Sequence, residues 1–178
     1  MQDDNESLPI KSVDEVLIEI NKGSYFWIVV ILSGCCYACD GFVGNSIGFS
    51  SVCAGDEFDS SPLEIRNLPF ALFAGAAIGA ILFAQIADIY GRVHAILVSN
   101  GMLLISFIAI SLVQKYWLLI IGWFFAGIAA GGTGLAFDYI SEVVSIKDRI
   151  AGYILQFFWP VATMIVASVA WIVLGNGF

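Results

Sequence analysis

The sequence predicts an all-α membrane protein with about five transmembrane helices. Of its 178 residues, 60% are hydrophobic and only 12% are charged, whereas soluble domains contain about 45–50% apolar and about 25% charged residues. Apolar runs of about 20 residues, long enough to cross the hydrocarbon core of a bilayer, recur along the chain. No alternation of polar and apolar residues indicates the strands of a barrel. Much of the surface must therefore face lipid.

Five spans are predicted, at residues 25–46, 68–90, 95–113, 116–139 and 150–174. Residues 1–24 should form an acidic N-terminal region with a short amphipathic helix, and residues 175–178 a C-terminal tail. The connections between spans two and five are very short, so neighbouring spans should pack antiparallel. Only the first connection, about 48–67, is long, and its acidic cluster predicts an exposed loop.

The basic residues predict the orientation of these spans. One side would carry Lys11, Lys22, Arg92, Lys147 and Arg149, and the other would carry Arg66 and Lys115. Because loops rich in Lys and Arg stay in the cytoplasm, the N-terminus is predicted to be cytoplasmic. The 15 acidic residues outnumber the 7 basic ones, which excludes a nucleic-acid partner that needs a basic face.

Ionisable and polar groups inside spans are expensive in lipid and therefore suggest functional sites. Asp40 lies in the second half of span one, and two interpretations stay open. It is either a carboxylate near the outer interface or a residue that lines a central cavity and binds a cation or a coupling proton. Gln156 lies within span five and is a second candidate for this pathway. The Trp159–Pro160 pair beside it should kink the helix, because proline removes a backbone donor.

Two pairs of glycines predict close packing between helices. Gly75 and Gly79 lie one helical turn apart in span two, and Gly127 and Gly131 have the same spacing in span four. Such small faces let two backbones approach closely in a membrane. Helix packing is the simplest role for all four.

Enzymatic and metal chemistry find no support in the sequence. Four cysteines, Cys35, Cys36, Cys39 and Cys53, lack a nearby histidine and a second CxxC pair, so they are interpreted as apolar thiols and not as a metal site. The single histidine, His94, has no serine or cysteine nucleophile to serve. We therefore expect no enzyme activity, no metal and no cofactor.

The most specific motif is the stretch Asp88–Arg92, DIYGR, between spans two and three. Gly91 permits a tight turn, while Asp88 and Arg92 place opposite charges at the membrane edge. This stretch resembles the D-x-x-G-R loop of major facilitator superfamily transporters. Glu142 and Arg149 resemble the E-x(6)-R element that follows span four in the sugar-porter and organic-ion branch of that superfamily.

Residues 13–27 resemble the amphipathic entry helix of the synaptic vesicle glycoprotein 2 and related-protein group, in which the first span also carries an aspartate where Asp40 falls. The resemblance implies that Asp88, Gly91, Arg92, Glu142 and Arg149 form a cytoplasmic charge network that latches the outward-facing state. It also implies two six-helix halves that rock around a central site for a small organic solute or ion. Trp123 stands near the place where many members carry an arginine.

Members of this superfamily have twelve spans, which exceeds what 178 residues can form. The chain is therefore expected to supply only part of the N-terminal half. It would act as part of a carrier, with a second chain that completes it as one arrangement. The alternative is a truncated, non-transporting membrane paralogue that acts through partner binding or regulation. Either protein would lie in the plasma membrane or in an intracellular vesicle membrane.

Overall fold

The computed structural model describes residues 24–58, 61–144 and 150–175. These residues form seven helices and no strand: α1 Ser24–Glu57, α2 Pro62–Ile65, α3 Asn67–Tyr90, α4 Arg92–Ser111, α5 Tyr116–Ala130, α6 Leu135–Val143 and α7 Ile150–Gly175. Within them, five segments are long and apolar enough to cross a membrane. The predicted all-α membrane class is confirmed. The proposed N-terminal region, apart from Ser24, and the tail after Gly175 lie outside the described residues.

The first helix continues well beyond the predicted end of span one. It reaches Glu57, so most of the segment predicted to be an exposed loop is helical, and that prediction is wrong. Ser51 tolerates the helix because its hydroxyl donates to the carbonyl of Ile47 at 2.7 Å. The chain turns only after this point, where Ser61 caps the short helix α2 through reciprocal hydrogen bonds with Glu64.

The turn between α3 and α4 consists of a single residue. Gly91 has φ +89° and ψ 152°, a region of backbone space that is essentially restricted to glycine. Its N–H closes α3 by donating to the carbonyl of Ala87 at 2.9 Å. The tight turn places Arg92 at the first position of α4.

The fourth predicted span is not one helix. It is interrupted at residues 131–134, where backbone hydrogen bonds span three residues instead of the four of an α-helix. The N–H of Gly132 donates to the carbonyl of Ala129, and the N–H of Thr133 donates to the carbonyl of Ala130. Three of these four residues are glycine, which weakens the helix at this point. The interruption separates α5 from the nine-residue helix α6.

Three apolar clusters hold the helices together, and α6 connects two of them. Trp123 is the largest buried side chain and centres a cluster shared by α1, α3, α4 and α5. Ala136 of α6 belongs to a second cluster with α3 and α4. Ile140, one turn further along α6, belongs to a third with α1 and α7. A displacement of α6 would therefore change its packing against α3 and α4 and also against α1 and α7.

Candidate functional site

Asp40 lies midway along α1 and also near the middle of the apolar segment Phe26–Gly55. The longer first helix explains why the sequence alone places it nearer to one end. A partly buried carboxylate within an apolar segment is costly unless it has hydrogen-bond partners or an ion beside it. The two interpretations of Asp40, an interfacial carboxylate and a residue of a solute pathway, both stay predictions.

Two neutral polar groups contact the Asp40 carboxylate. The indole Nε1–H of Trp159 donates to Oδ2 at 3.3 Å. The hydroxyl oxygen of Thr133 lies 3.2 Å from Oδ1, but the nearest acceptor for its single proton is the carbonyl of Ala130 at 2.6 Å. Thr133 lies in the interruption between α5 and α6, whereas Trp159 belongs to α7. One side chain of α1 thus contacts two other parts of the bundle.

A second polar contact joins α1 to α7 beyond Asp40. The Nδ2 atom of Asn45 donates to the hydroxyl oxygen of Thr163 at 2.9 Å and to the carbonyl of Gly41 at 2.7 Å. Gly41 makes this approach feasible, because a Cβ there would lie 2.9 Å from the carbonyl oxygen of Trp159. The two hydrogen-bonded pairs, Asp40–Trp159 and Asn45–Thr163, are arranged in succession along two parallel helices.

Asp40, Asn45 and Trp159 border a cavity of about 370 Å³, within the range of small-molecule sites. We call it the Asp40 cavity. Its lining comprises Asp40, Val43, Gly44, Asn45, Leu72, Phe73, Ala76, Ala130 and Trp159. It therefore contains one carboxylate, one amide, two aromatic side chains and small or aliphatic groups, with no basic residue in the described lining.

Gln156, the second residue predicted for the pathway, does not line the Asp40 cavity. It lines another cavity of about 370 Å³ between α6 and α7, together with Ser141 and Tyr153. Gln156 is exposed. The structure thus places the two pathway candidates in two different cavities. The helix α7 continues through Pro160.

The charged residues at the α3–α4 turn form a compact cluster with α6, which we call the Arg92 cluster. The guanidinium of Arg92 lies 2.9 Å from the Glu142 carboxylate and 3.4 Å from that of Asp138. Asp138 and Glu142 are one helical turn apart, so the cation between them relieves a like-charge repulsion. Because the N-terminus of a helix disfavours a cation, these carboxylates also stabilise Arg92 at the start of α4.

The remaining predicted members of the network have different positions. Gly91 forms the turn that presents Arg92. Asp88 is exposed in the last turn of α3 and makes no ion pair with the residues that the structure describes. Arg149 lies outside the described residues. Two carboxylates and one guanidinium leave the described cluster with a net charge of −1.

The four glycines predicted to pack helices all lie where α3 contacts α5 or Gly131, the residue that directly follows α5. A Cβ on Gly75 would lie 2.9 Å from the backbone nitrogen of Ile128, and one on Gly79 would lie 2.8 Å from its Cα. On the opposite helix, a Cβ on Gly127 would lie 2.9 Å from the carbonyl carbon of Leu72, and one on Gly131 would lie 2.7 Å from that of Gly79. The two backbones touch, and no larger residue fits at these positions.

Sequence reasoning missed three residues of the candidate site: Asn45, Thr133 and Thr163. Asn45 lies one residue before the predicted end of span one, where an amide can reach water, so only the longer helix of the structure shows that it needs a partner. Thr133 lies in a run of glycines, and no sequence pattern predicts its contact with Asp40. That contact depends on the interruption of the helix at residues 131–134. Thr163 is a common type of residue in membrane helices, and only its contact with Asn45 distinguishes it.

Comparison with known protein families gives a match over most of the chain. The sequence model of the family described as Major Facilitator Superfamily matches residues 30–177. Synaptic vesicle glycoprotein 2A of Rattus norvegicus is 25% identical over 175 residues, which is 96% of this chain and 23% of the relative.

Two further relatives carry names that refer to transport. A Haemophilus influenzae protein named for metabolite transport is 31% identical over 128 residues, covering 71% of this chain and 31% of the relative. An Arabidopsis thaliana protein named as an ERD6-like sugar transporter is 31% identical over 110 residues, covering 60% of this chain and 22% of the relative. The chain spans less than a third of the length of each of these relatives.

Proposed function

Because the chain belongs to the major facilitator superfamily, as its motifs predicted, we propose that it forms part of a carrier that moves a small organic solute across a membrane by alternating access. In this proposal the Asp40 cavity is one wall of the solute pathway. The Arg92 cluster is a latch that forms in one state of the carrier and opens in the other. The N-terminus is cytoplasmic, so the Arg92 cluster lies at the cytoplasmic edge.

The observation that carries the proposal is the position of Asp40. This carboxylate lies midway along a spanning helix, its polar partners among the described residues are neutral, and it opens into a cavity of small-molecule size. A purely structural polar residue would be enclosed by its partners, whereas Asp40 keeps contact with an open volume. Intramembrane carboxylates with this combination are typical of solute and ion pathways.

The protein lies in a membrane whatever solute it carries. The five apolar segments and the family membership make the protein an integral membrane protein that contacts the lipid bilayer. Superfamily membership favours a carrier over an enzyme. A second chain or further spans would supply the other wall of the cavity.

A cysteine at Gly44 tests whether the Asp40 cavity is a water-filled pathway. Gly44 lines the cavity and is exposed, and a Cβ there meets nothing within 4 Å, so a thiol fits without strain. In a background with the four native cysteines replaced by alanine, we expect a membrane-impermeant thiol reagent to label Gly44→Cys, because thiolate formation requires water.

Gly101→Cys is the matched control. Gly101 lies midway along α4, is exposed and has the same open space for a Cβ, but it does not line the Asp40 cavity. Labelling of Gly44→Cys should be about tenfold faster than labelling of Gly101→Cys, since a lipid-facing thiol stays protonated. Equal and slow labelling at both positions would show that the cavity is dry and would overturn the proposal.

A further inference from the structure

The described part of the Asp40 cavity offers hydrogen-bond acceptors and almost no free donors. Both hydrogens of the Asn45 amide are used, one by Thr163 and one by Gly41, so this side chain has only its oxygen left to bind a ligand. The indole N–H of Trp159 is directed at Asp40, and the proton of the nearby Thr133 hydroxyl has the carbonyl of Ala130 as its closest acceptor, at 2.6 Å. The carboxylate itself has about four lone-pair positions, so at least two of them stay open to a ligand.

The charge of the cavity lining, like its hydrogen-bond acceptors, favours a cationic ligand. The described lining contains the Asp40 carboxylate and neither lysine nor arginine. In an apolar cavity a single carboxylate attracts cations more strongly than it does in water.

Aromatic side chains complete the pattern. Trp159 and Phe73 both line the Asp40 cavity, and aromatic rings attract ammonium groups through their electron-rich faces. Sugars and other polyols need donors as well as acceptors from their site, because each hydroxyl both donates and accepts. A wall of acceptors and aromatic rings fits a substituted ammonium group better than it fits a polyol.

We propose that the Asp40 cavity selects organic cations that carry a substituted ammonium head group, with Asp40 as the counter-ion, Trp159 as an aromatic wall and Asn45 as an acceptor. This proposal rests on the proposed solute pathway and specifies the class of solute that enters it. The cavity volume of about 370 Å³ accommodates a small cation of this class.

Two thiol reagents of opposite charge test the selection directly. The Gly44→Cys protein is treated with the cationic trimethylammonioethyl methanethiosulfonate and with the anionic sulfonatoethyl methanethiosulfonate. The ratio of the two rates is divided by the ratio for a small free thiol in the same buffer. We expect the corrected ratio to favour the cation by roughly tenfold, given one nearby carboxylate in a medium of low dielectric constant.

Replacement of single carboxylates shows where the preference arises. Asp40→Asn in the Gly44→Cys protein should bring the corrected ratio close to one. Glu57→Gln should leave the ratio unchanged, because Glu57 is an exposed residue at the end of α1 outside the cavity. A ratio that stays high in Asp40→Asn, or that is close to one from the start, overturns the cation proposal while the solute pathway stands.

A protection experiment tests the ligand class itself. Choline should slow the reaction of the Gly44→Cys thiol with an uncharged thiol reagent, and its uncharged isostere, in which a tert-butyl group replaces trimethylammonium, should not. Equal protection by both compounds would show that shape and not charge is recognised, which contradicts the proposal. If neither charged reagent reacts with the thiol at all, the solute pathway itself is wrong, so the two failures are distinguishable.

Discussion

Two pairs of parallel helices, α3–α5 and α1–α7, pack closely in this molecule, and they do so by opposite means. In the α3–α5 pair, glycines on both helices bring the backbones into contact, as at Gly79 and Gly127. In the α1–α7 pair, polar side chains bridge the helices through Asp40–Trp159 and Asn45–Thr163. The α3–α5 pair carries the glycine motifs, and the α1–α7 pair carries the polar residues of the spans.

The difference indicates which contact can change during a transport cycle. Backbones in contact leave no freedom to slide, because interiors at this density do not deform continuously. Hydrogen bonds between side chains are worth less than 1 kcal/mol on average, about 0.6 kcal/mol in measured membrane helices. Such bonds exchange readily with water or solute. We therefore expect α3–α5 to move as one body and α1–α7 to be the adaptable contact.

The largest expected effect follows from filling the glycine contact. Gly79→Val should lower the free energy of unfolding by about 3 kcal/mol or more, because a side chain at Gly79 collides with the backbone of Ile128 and overpacking forces the helices apart. Reversible unfolding in mixed detergent–lipid micelles, followed by far-UV circular dichroism, measures the change.

Gly101→Ala is the control for that substitution. Gly101 is also a glycine within a spanning helix, but a Cβ there meets nothing within 4 Å. The alanine should be neutral or stabilising by up to about 1 kcal/mol, as expected for glycine-to-alanine changes in helices. Similar destabilisation by both substitutions would mean that the close approach of α3 and α5 is not what makes Gly79 indispensable.

A much smaller effect is expected at the polar contact. A double-mutant cycle of Asn45→Ala and Thr163→Val should give a coupling energy of about 0.6 kcal/mol, measured by the same unfolding experiment. The isosteric valine keeps the packing of α7 and removes only the hydroxyl. A coupling energy above about 2 kcal/mol would exceed the values known for such bonds and would make the α1–α7 contact as fixed as α3–α5.

The sequence predicted the glycine contact better than the polar one. The spacing of the glycines alone predicts close helix packing at Gly75, Gly79, Gly127 and Gly131. The spacing does not predict which two helices pack together. The Asp40–Trp159 contact joins residues 119 positions apart, and nothing in either local sequence indicates the other. Long-range pairing of this kind depends on the tertiary arrangement, which local patterns do not contain.

Helix ends and interruptions show a similar division. The turn at Gly91 was predictable, because a glycine between two apolar runs marks a connection. The extension of α1 through Ser51 to Glu57 was not, since small and hydroxyl-bearing residues resemble a loop until their hydroxyls bond to the helix backbone. The interruption at residues 131–134 likewise gives Thr133 a role that its sequence position does not reveal.

The family resemblance implied a cytoplasmic charge network of Asp88, Gly91, Arg92, Glu142 and Arg149, and the role of that network stays a prediction. The structure brings Arg92 and Glu142 to 2.9 Å. Asp138 joins them because α6 presents it one turn earlier on the same face. These groups are 30–54% exposed, so each ion pair contributes less than about 1 kcal/mol to stability. A cluster this weak suits a latch better than a structural support.

We infer that the segment 133–143 couples the Asp40 cavity to the Arg92 cluster. Thr133 lies 3.2 Å from the Asp40 carboxylate, and α6 carries Asp138 and Glu142 of the Arg92 cluster. The most direct test is the labelling rate of the Gly44→Cys thiol by an impermeant reagent applied from the outside, with and without Arg92→Ala. Arg92→Ala should slow this labelling several-fold, because an opened cytoplasmic latch disfavours the outward-facing state. Lys115→Ala, which removes a cation elsewhere, should have no effect. An unchanged rate in Arg92→Ala would contradict the coupling, since the cavity and the cluster would then be independent.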